Sequence, residues 1–142
     1  MCGIAGVYGL EQVSDASERV KRMTERMAHR GPDADGVYAG KNIVLGHRRL
    51  SIIDLSHEAD QPFTSPDGRY TLVYNGELYN YQSIKSQLTD YPFKTNSDTE
   101  VVLAALMKWG MKALQLFNGM FAFAFWDNEE EQLWVARDRM GI

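Results

Sequence analysis

The sequence predicts an α+β domain, mostly antiparallel strands with helices flanking them. Three observations predict it. Phe121-Ala122-Phe123-Ala124-Phe125-Trp126 alternates in the way a strand shows its two faces. Apolar residues recur at helical spacing between Ser14 and Arg30, and again between Thr99 and Trp109. Short connections rich in Gly, Pro, Asn and Asp separate these runs, with no linker among them. The 142 residues therefore read as one domain, long enough to bury a core.

Residues 2–8 read as a short buried strand, whose glycines suit close approach of another backbone or a ligand. From Ser14 to Arg30 the pattern is helical, with Val20, Met23 and Met27 on one side and Ser14 or Asp15 as the cap. His29-Arg30-Gly31-Pro32-Asp33 ends that helix, because Gly and Pro together break it. Gly36–Tyr38 and Ile43–His47 follow as two strands, and Leu50–Leu55 as another extended run. Ser56–Gly68 carries two prolines, Ser and Asp, and reads as a surface loop. Tyr70–Tyr74 is a strand by composition, Tyr79–Leu88 a helix, and Thr99–Trp109 a second helix with Val102, Leu106 and Trp109 on one face. Phe121–Trp126 then pairs with Leu133–Ala136 across an acidic turn, Asp127–Glu131.

Composition narrows the function classes. Apolar residues make up 44% and charged residues 24%, an ordinary globular balance. A net charge of −4 and the lack of a long basic cluster argue against a nucleic-acid partner. The single cysteine allows no internal disulfide, which points to a reducing cytoplasm. No apolar stretch approaches the length of a membrane span. His29, His47 and His57 lack metal-ligand spacing, so no metal site is expected, and neither a Walker A loop nor a dinucleotide fingerprint occurs.

Several residues carry two readings. Cys2 follows the initiator Met directly, and removing Met1 would put a thiol and a free α-amine on one residue. Their ordinary pKa values, near ~8.5 and ~8, allow the amine to act as base for its own nucleophile. On its own segment the favoured reading of Cys2 is a small hydrophobe opening a strand. Asn75-Gly76 is a strong tight-turn signal, yet the same pair offers a side-chain amide and an approachable backbone N–H, the makings of an oxyanion hole. Ser97 and Glu100 form a capping box around Asp98, which could instead face a ligand ammonium. Strand alternation places Arg48 and Arg49 on opposite faces, so one of them points into a pocket where it could grip a carboxylate through paired hydrogen bonds.

Taken in order, the segments Cys2–Gly6, His29–Gly36, Gly46-His-Arg-Arg-Leu-Ser-Ile-Ile-Asp54, Gln61-Pro62, Tyr74-Asn-Gly-Glu-Leu-Tyr-Asn80, Ser97–Glu100, Gly119–Phe123 and Ala136–Arg139 resemble one family. It is the glutaminase domain of glutamine-hydrolysing asparagine synthetases, within the class II glutamine amidotransferases. Other class II members also begin with Cys-Gly but differ at the Arg-Leu-Ser-Ile and Asn-Gly-Glu-Leu-Tyr-Asn segments. The resemblance implies an N-terminal nucleophile hydrolase fold, a four-layer α/β/β/α sandwich. It implies that Cys2 attacks the side-chain amide of glutamine, with its α-amine relaying the proton. Asn75 and Gly76 would form the oxyanion hole and Arg49 would hold the α-carboxylate. Asp98 would pair with the α-ammonium, helped by Glu77 and by backbone groups near Ile52 and Ile53. The ammonia would pass to a synthetase domain or subunit, in the cytoplasm, with neither a nucleic acid nor a membrane as partner.

The family's synthetase half, with its Ser-Gly-Gly-x-Asp-Ser pyrophosphate loop, has no counterpart in these residues. ATP and Mg are accordingly expected only in that half, and no cofactor in this stretch. Family members continue past Ile142 through further strands, which predicts a glutaminase domain incomplete at its C-terminus, with an open sheet edge through which two copies could pair. A retained Met1 would block the α-amine. Ser56–Asp60 departs from the family's Gly-containing version, and little consequence is expected of it. A fragment that keeps the motifs without catalysis, or an amidotransferase with another acceptor, is the alternative.

Overall fold

A computed structural model describes residues 1–9 and 15–142. Strands β1 (Gly3–Tyr8), β2 (Ala34–Gly40) and β3 (Ile43–Arg49) form one antiparallel sheet in the order β1-β3-β2. Strands β4 (Phe63–Thr64), β5 (Tyr70–Leu78), β6 (Gly119–Asp127) and β7 (Gln132–Arg137) form a second, in chain order and also antiparallel. Helix α1 (Ala16–Arg26) covers the outer face of the first sheet, and α2 (Tyr81–Lys85) with α3 (Asp98–Trp109) the outer face of the second. The sheets face each other, which completes the expected α/β/β/α order.

Alternation along the strands assigns each side chain to a layer. Phe121, Phe123 and Phe125 of β6 join Leu72, Tyr74 and Leu78 of β5 under α3, in the larger apolar cluster. Ala124 and Trp126, one step out of phase, meet Val73, Ile43 and Leu45 between the sheets. Both faces of β5 and β6 are covered, so Leu72–Tyr74 and Phe121–Trp126 are apolar without a break. Helix α3 is buried from Asp98 to Leu106, all round rather than along the single face its periodicity suggests. Gly46 of β3 lets α1 sit close, since a Cβ there would lie 2.6 Å from side-chain carbons of Thr24 and Val20.

Some local readings change. The buried side of α1 is Ala16, Val20 and Thr24, while Met23 is exposed. Ser14 lies outside the described residues, and the Asp15 carboxylate accepts from Arg19 Nε at 2.9 Å rather than capping the helix. Strand β1 is a sheet edge whose residues are mostly part-exposed. Leu50–Leu55 is irregular, because its backbone is drawn into side-chain contacts instead of a ladder. Ser56–Gly68 holds a short 3₁₀ turn at His57–Ala59, the strand β4 and a buried Gln61. Asn75-Gly76 does not turn: β5 runs straight through it to Leu78. Tyr79–Leu88 contains helix only at Tyr81–Lys85. Ser97 caps α3 by accepting from the Glu100 N–H at 3.3 Å, but the Glu100 carboxylate turns to the N–H groups of Lys94 and Thr95 and the Thr95 hydroxyl, so the capping box is half formed.

His47, fully buried between the sheets, donates from Nε2 to the Tyr74 carbonyl at 3.0 Å and links β3 to β5. Burial pushes its pKa down from 6.5 to about 4, so the imidazole is neutral in the folded chain. The unfolded chain binds a proton at higher pH, so this group's contribution is complete above about pH 6.5 and is lost as pH falls toward 4. His47→Gln keeps a donor for Tyr74 but cannot titrate. Urea midpoints of the native chain should fall between pH 6.5 and 4 by an amount equivalent to about 3 kcal/mol, and the variant should lose most of that slope. Parallel pH profiles would show that His47 is not the group responsible.

Candidate active site

One cleft is lined by Cys2, Arg49, Ile52, Ile53, Asn75, Gly76, Glu77 and Asp98, every site residue named from the sequence. It sits where the inter-sheet layer runs out. On β3 the odd-numbered side chains Ile43, Leu45, His47 and Arg49 point inward. Arg48 points outward, with Nε on the Thr24 carbonyl at 3.1 Å and Nη1 3.3 Å from Asp35. Alternation thus separates the two arginines and leaves Arg49 as the one in the cleft. On β5 the side chain of Asn75 follows Val73 on the same inner face.

Cys2 sits just ahead of β1, where Gly3 pairs with Arg48, and this brings it beside Arg49 and Leu50. The Leu50 N–H donates to its Sγ at 3.3 Å. Arg30 Nε donates to the Cys2 carbonyl at 3.0 Å and fixes the backbone that carries the nucleophile. Met1 lines the same cleft.

The backbone of β5 supplies a row of donors. In an antiparallel strand each residue's N–H and C=O point to the same side. Phe121, the partner of Gly76, donates its N–H to Asp138 Oδ2 at 3.1 Å and accepts from the Asp138 N–H at 2.8 Å, away from β5. The Gly76 N–H therefore points away from β6, on the same side as those of Tyr74 and Leu78. Tyr74 N–H reaches Gln61 Oε1 at 2.6 Å, and Leu78 N–H reaches Asp98 Oδ2 at 2.9 Å. Between them the Gly76 N–H has no partner among the described residues. The Asn75 side-chain amide also makes no hydrogen bond there, and its Oδ1 is buried without a partner. Two uncommitted amides at neighbouring positions can be directed at one oxygen atom.

The charged ends of the cleft differ in how they are held. Asp98 opens α3 and is buried. Burial raises its pKa, while the Leu78 N–H and the Tyr74 hydroxyl, 3.2 Å away, counteract that. Tyr74 is itself pushed up, by burial first and then by the Asp98 charge. Arg49 is buried as well, and three of its five N–H groups are engaged: Nη1 with the Ser56 carbonyl at 2.8 Å and Asp60 Oδ1 at 2.6 Å, Nη2 with the Asp54 carbonyl. Two donors are left for a ligand. Burial raises the Asp60 pKa, but hydrogen bonds from His57 and Arg49 outweigh it and hold the carboxyl below its ordinary value. Ser56–Asp60 is thus not an inconsequential loop, because its carboxylate and carbonyl orient the cleft's cation.

Sequence reasoning gave no role to Gln61, Arg30, Asp54 or Asp60. Gln61 mimics a neighbouring strand, binding the Tyr74 N–H and, through Nε2, the Tyr74 carbonyl at 3.1 Å and Thr99 Oγ1 at 3.3 Å. Its signals were a polar residue beside Pro62, in a stretch otherwise read as surface loop, and the place of Gln61-Pro62 among the segments that carry the family resemblance.

The sequence model of the glutamine amidotransferase domain matches residues 1–142. The chain is 41% identical to asparagine synthetase [glutamine-hydrolyzing] 1 of Bacillus subtilis, with all of this chain and 23% of that protein covered. It is 42% identical to asparagine synthetase B [glutamine-hydrolyzing] of Escherichia coli, again over the whole chain and 26% of the relative. The chain thus spans about a quarter of the length of these relatives. Among solved structures, glutamine phosphoribosylpyrophosphate amidotransferase from B. subtilis superposes with a TM-score of 0.79 at 23% identity, covering 97% of this chain and 37% of that one. That likeness bears out the four-layer α/β/β/α fold.

Gly76 packs directly on β6: a Cβ there would overlap the Met120 carbonyl and lie 2.7 Å from Phe121 Cα. Gly76→Ala should therefore destabilise the chain by about 1–3 kcal/mol, read as a lower urea midpoint. An unchanged midpoint would mean that the two strands have room to spare.

Proposed function

The chain belongs to the glutamine amidotransferase domain family, and on that premise we propose that it hydrolyses glutamine to glutamate and ammonia at Cys2. The observation that carries this reading is the gathering, in one cleft, of a thiol, a buried carboxylate, a buried guanidinium with two spare donors, and the unpaired Gly76 N–H beside the Asn75 amide. An amino acid bearing an amide has the complementary groups. Its α-carboxylate fits Arg49, and its α-ammonium fits Asp98, whose burial makes a cationic partner favourable. Glu77 and the backbone around Ile52 and Ile53 close the walls.

The reaction then follows from these positions. With Met1 removed, the Cys2 α-amine takes the thiol proton as Sγ attacks the side-chain carbonyl carbon. The oxygen becomes an anion held by the Gly76 N–H and Asn75 Nδ2. The α-amine returns its proton to the departing nitrogen, the C–N bond breaks, and ammonia leaves a γ-glutamyl thioester. Water adds to the thioester through the same oxyanion, the C–S bond breaks, and glutamate departs with the thiol restored. No other protein charge is consumed in the cycle.

The relatives named as asparagine synthetases support a destination for the ammonia, amide synthesis by a synthetase domain or subunit. The cytoplasm is the compartment that fits a free catalytic cysteine. Among the described residues no helix is long and apolar enough to cross a membrane.

Incubation with a glutamine-like diazo-ketone should yield an intact mass that lacks Met1 and carries one adduct, absent from Cys2→Ala. A processed chain that takes no adduct and releases no ammonia would end the glutaminase reading. Asn75→Ala should lower kcat by about 10²–10³ with little change in melting temperature, the loss expected for one oxyanion donor. Arg49→Lys keeps the charge but not the fork, so KM for glutamine should rise about tenfold or more while kcat changes far less. Steady-state ammonia release checks both variants.

A further inference from the structure

We infer that Asp54 is a positioning residue that sets the span between Arg49 and Asp98, the two ends of the amino-acid clamp. The inference rests on the reading in which those residues hold the α-carboxylate and the α-ammonium. Arg49 ends β3, whereas Asp98 begins α3, on the far side of the other sheet's first strands. A ligand whose charged groups sit on one carbon needs these two ends at a fixed separation, and neither element touches the other through its own ladder.

Asp54 reaches both. Its main-chain carbonyl accepts from Arg49 Nη2. Its Oδ1 accepts from the Ser56 N–H at 2.9 Å and the Ser56 hydroxyl at 2.7 Å, which curls the chain so that the Ser56 carbonyl meets Arg49 Nη1 at 2.8 Å. Its Oδ2 accepts from the Asn96 N–H at 2.8 Å, immediately before Ser97, the residue that caps α3. Among the described residues this is the one direct hydrogen bond between residues 50–60 and residues 94–98. One side chain therefore ties the arginine's loop to the helix start that presents Asp98. The hydrogen bonds from Ser56 and Asn96 hold the Asp54 carboxyl below its ordinary range, so it is ionised at neutral pH and serves the donors of both residues at once. An asparagine can accept with one oxygen only, and its NH₂ would face the other donor.

The test compares the native chain with Asp54→Ala and with the conservative Asp54→Asn on three amides. These are L-glutamine, glutaramate, which lacks the ammonium, and γ-aminobutyramide, which lacks the carboxylate. Hydrolysis is followed by ammonia release, and the rate of Cys2 alkylation by iodoacetamide reports the nucleophile independently of the clamp. For both variants KM for L-glutamine should rise about tenfold, the scale of one charge-assisted hydrogen bond, with kcat within about threefold and the alkylation rate retained. The two one-ended amides should show less than about a twofold change, because a ligand held at one end does not sense the span. An equal rise for all three amides would overturn the inference in favour of a general support role, and an unchanged KM for glutamine would overturn it outright. If the native chain itself fails to prefer glutamine over the one-ended amides, the clamp reading of Arg49 and Asp98 falls, and this inference with it. That result is distinct from the others because it appears without any substitution.

Discussion

The cleft depends on the direction in which strand β5 aims its backbone. From Tyr74 onward every second N–H turns away from β6, and three successive ones meet three different fates: the Gln61 side chain, open cleft, and the Asp98 carboxylate. Strand β4 is only two residues long and pairs with Thr71 and Leu72, so it leaves that side of β5 unpaired where the cleft begins. Gln61 supplies a substitute for the missing strand at Tyr74, and α3 supplies Asp98 at Leu78. The N–H between them stays available because nothing among the described residues reaches it. A buried donor without a partner is costly in a finished core, so such a gap is a natural place for a ligand atom.

Burial of charge is balanced unevenly across the site. Arg49 is surrounded by acceptors, two carbonyls and the Asp60 carboxylate, which fix its plane and leave part of its fork free. Asp98 has only neutral donors, the Leu78 N–H and the Tyr74 hydroxyl, and these offset only part of the rise that burial imposes on its pKa. The site is thus short of a positive group at one end and has its positive group already oriented at the other. A zwitterionic α-amino acid satisfies both ends, and the anchored arginine limits the rearrangement that binding requires.

Strand periodicity made much of this legible. The alternation of 121–126 identified a strand, and the same rule separated Arg48 from Arg49. The order of short segments, from Cys2-Gly3 to Ala136–Arg139, identified the family because several unconnected motifs in one order leave little room for coincidence. Local rules misread other stretches. Asn75-Gly76 has the composition of a tight turn, but the pairing of Gly76 with Phe121 and the nine-residue register of β5 with β6 keep the chain extended. Leu50–Leu55 has the composition of a strand, but its polar groups are taken up by Cys2, Asp33 and Arg49 instead of a neighbouring strand.

By itself the sequence determined the fold class, the family and which side chains to look for in one cleft, because periodicity and motif order are properties of the chain alone. Tertiary structure alone decided how those side chains are held. Whether the Gly76 N–H is free depends on which side of β5 its partner strand occupies. The orientation of Arg49 depends on carbonyls and a carboxylate five to eleven positions further along. The link from Asp54 to Asn96 spans 42 positions. Such contacts have no periodic signature, since hydrogen-bonding direction and long-range proximity arise only when the sheets pack and the loops between them close.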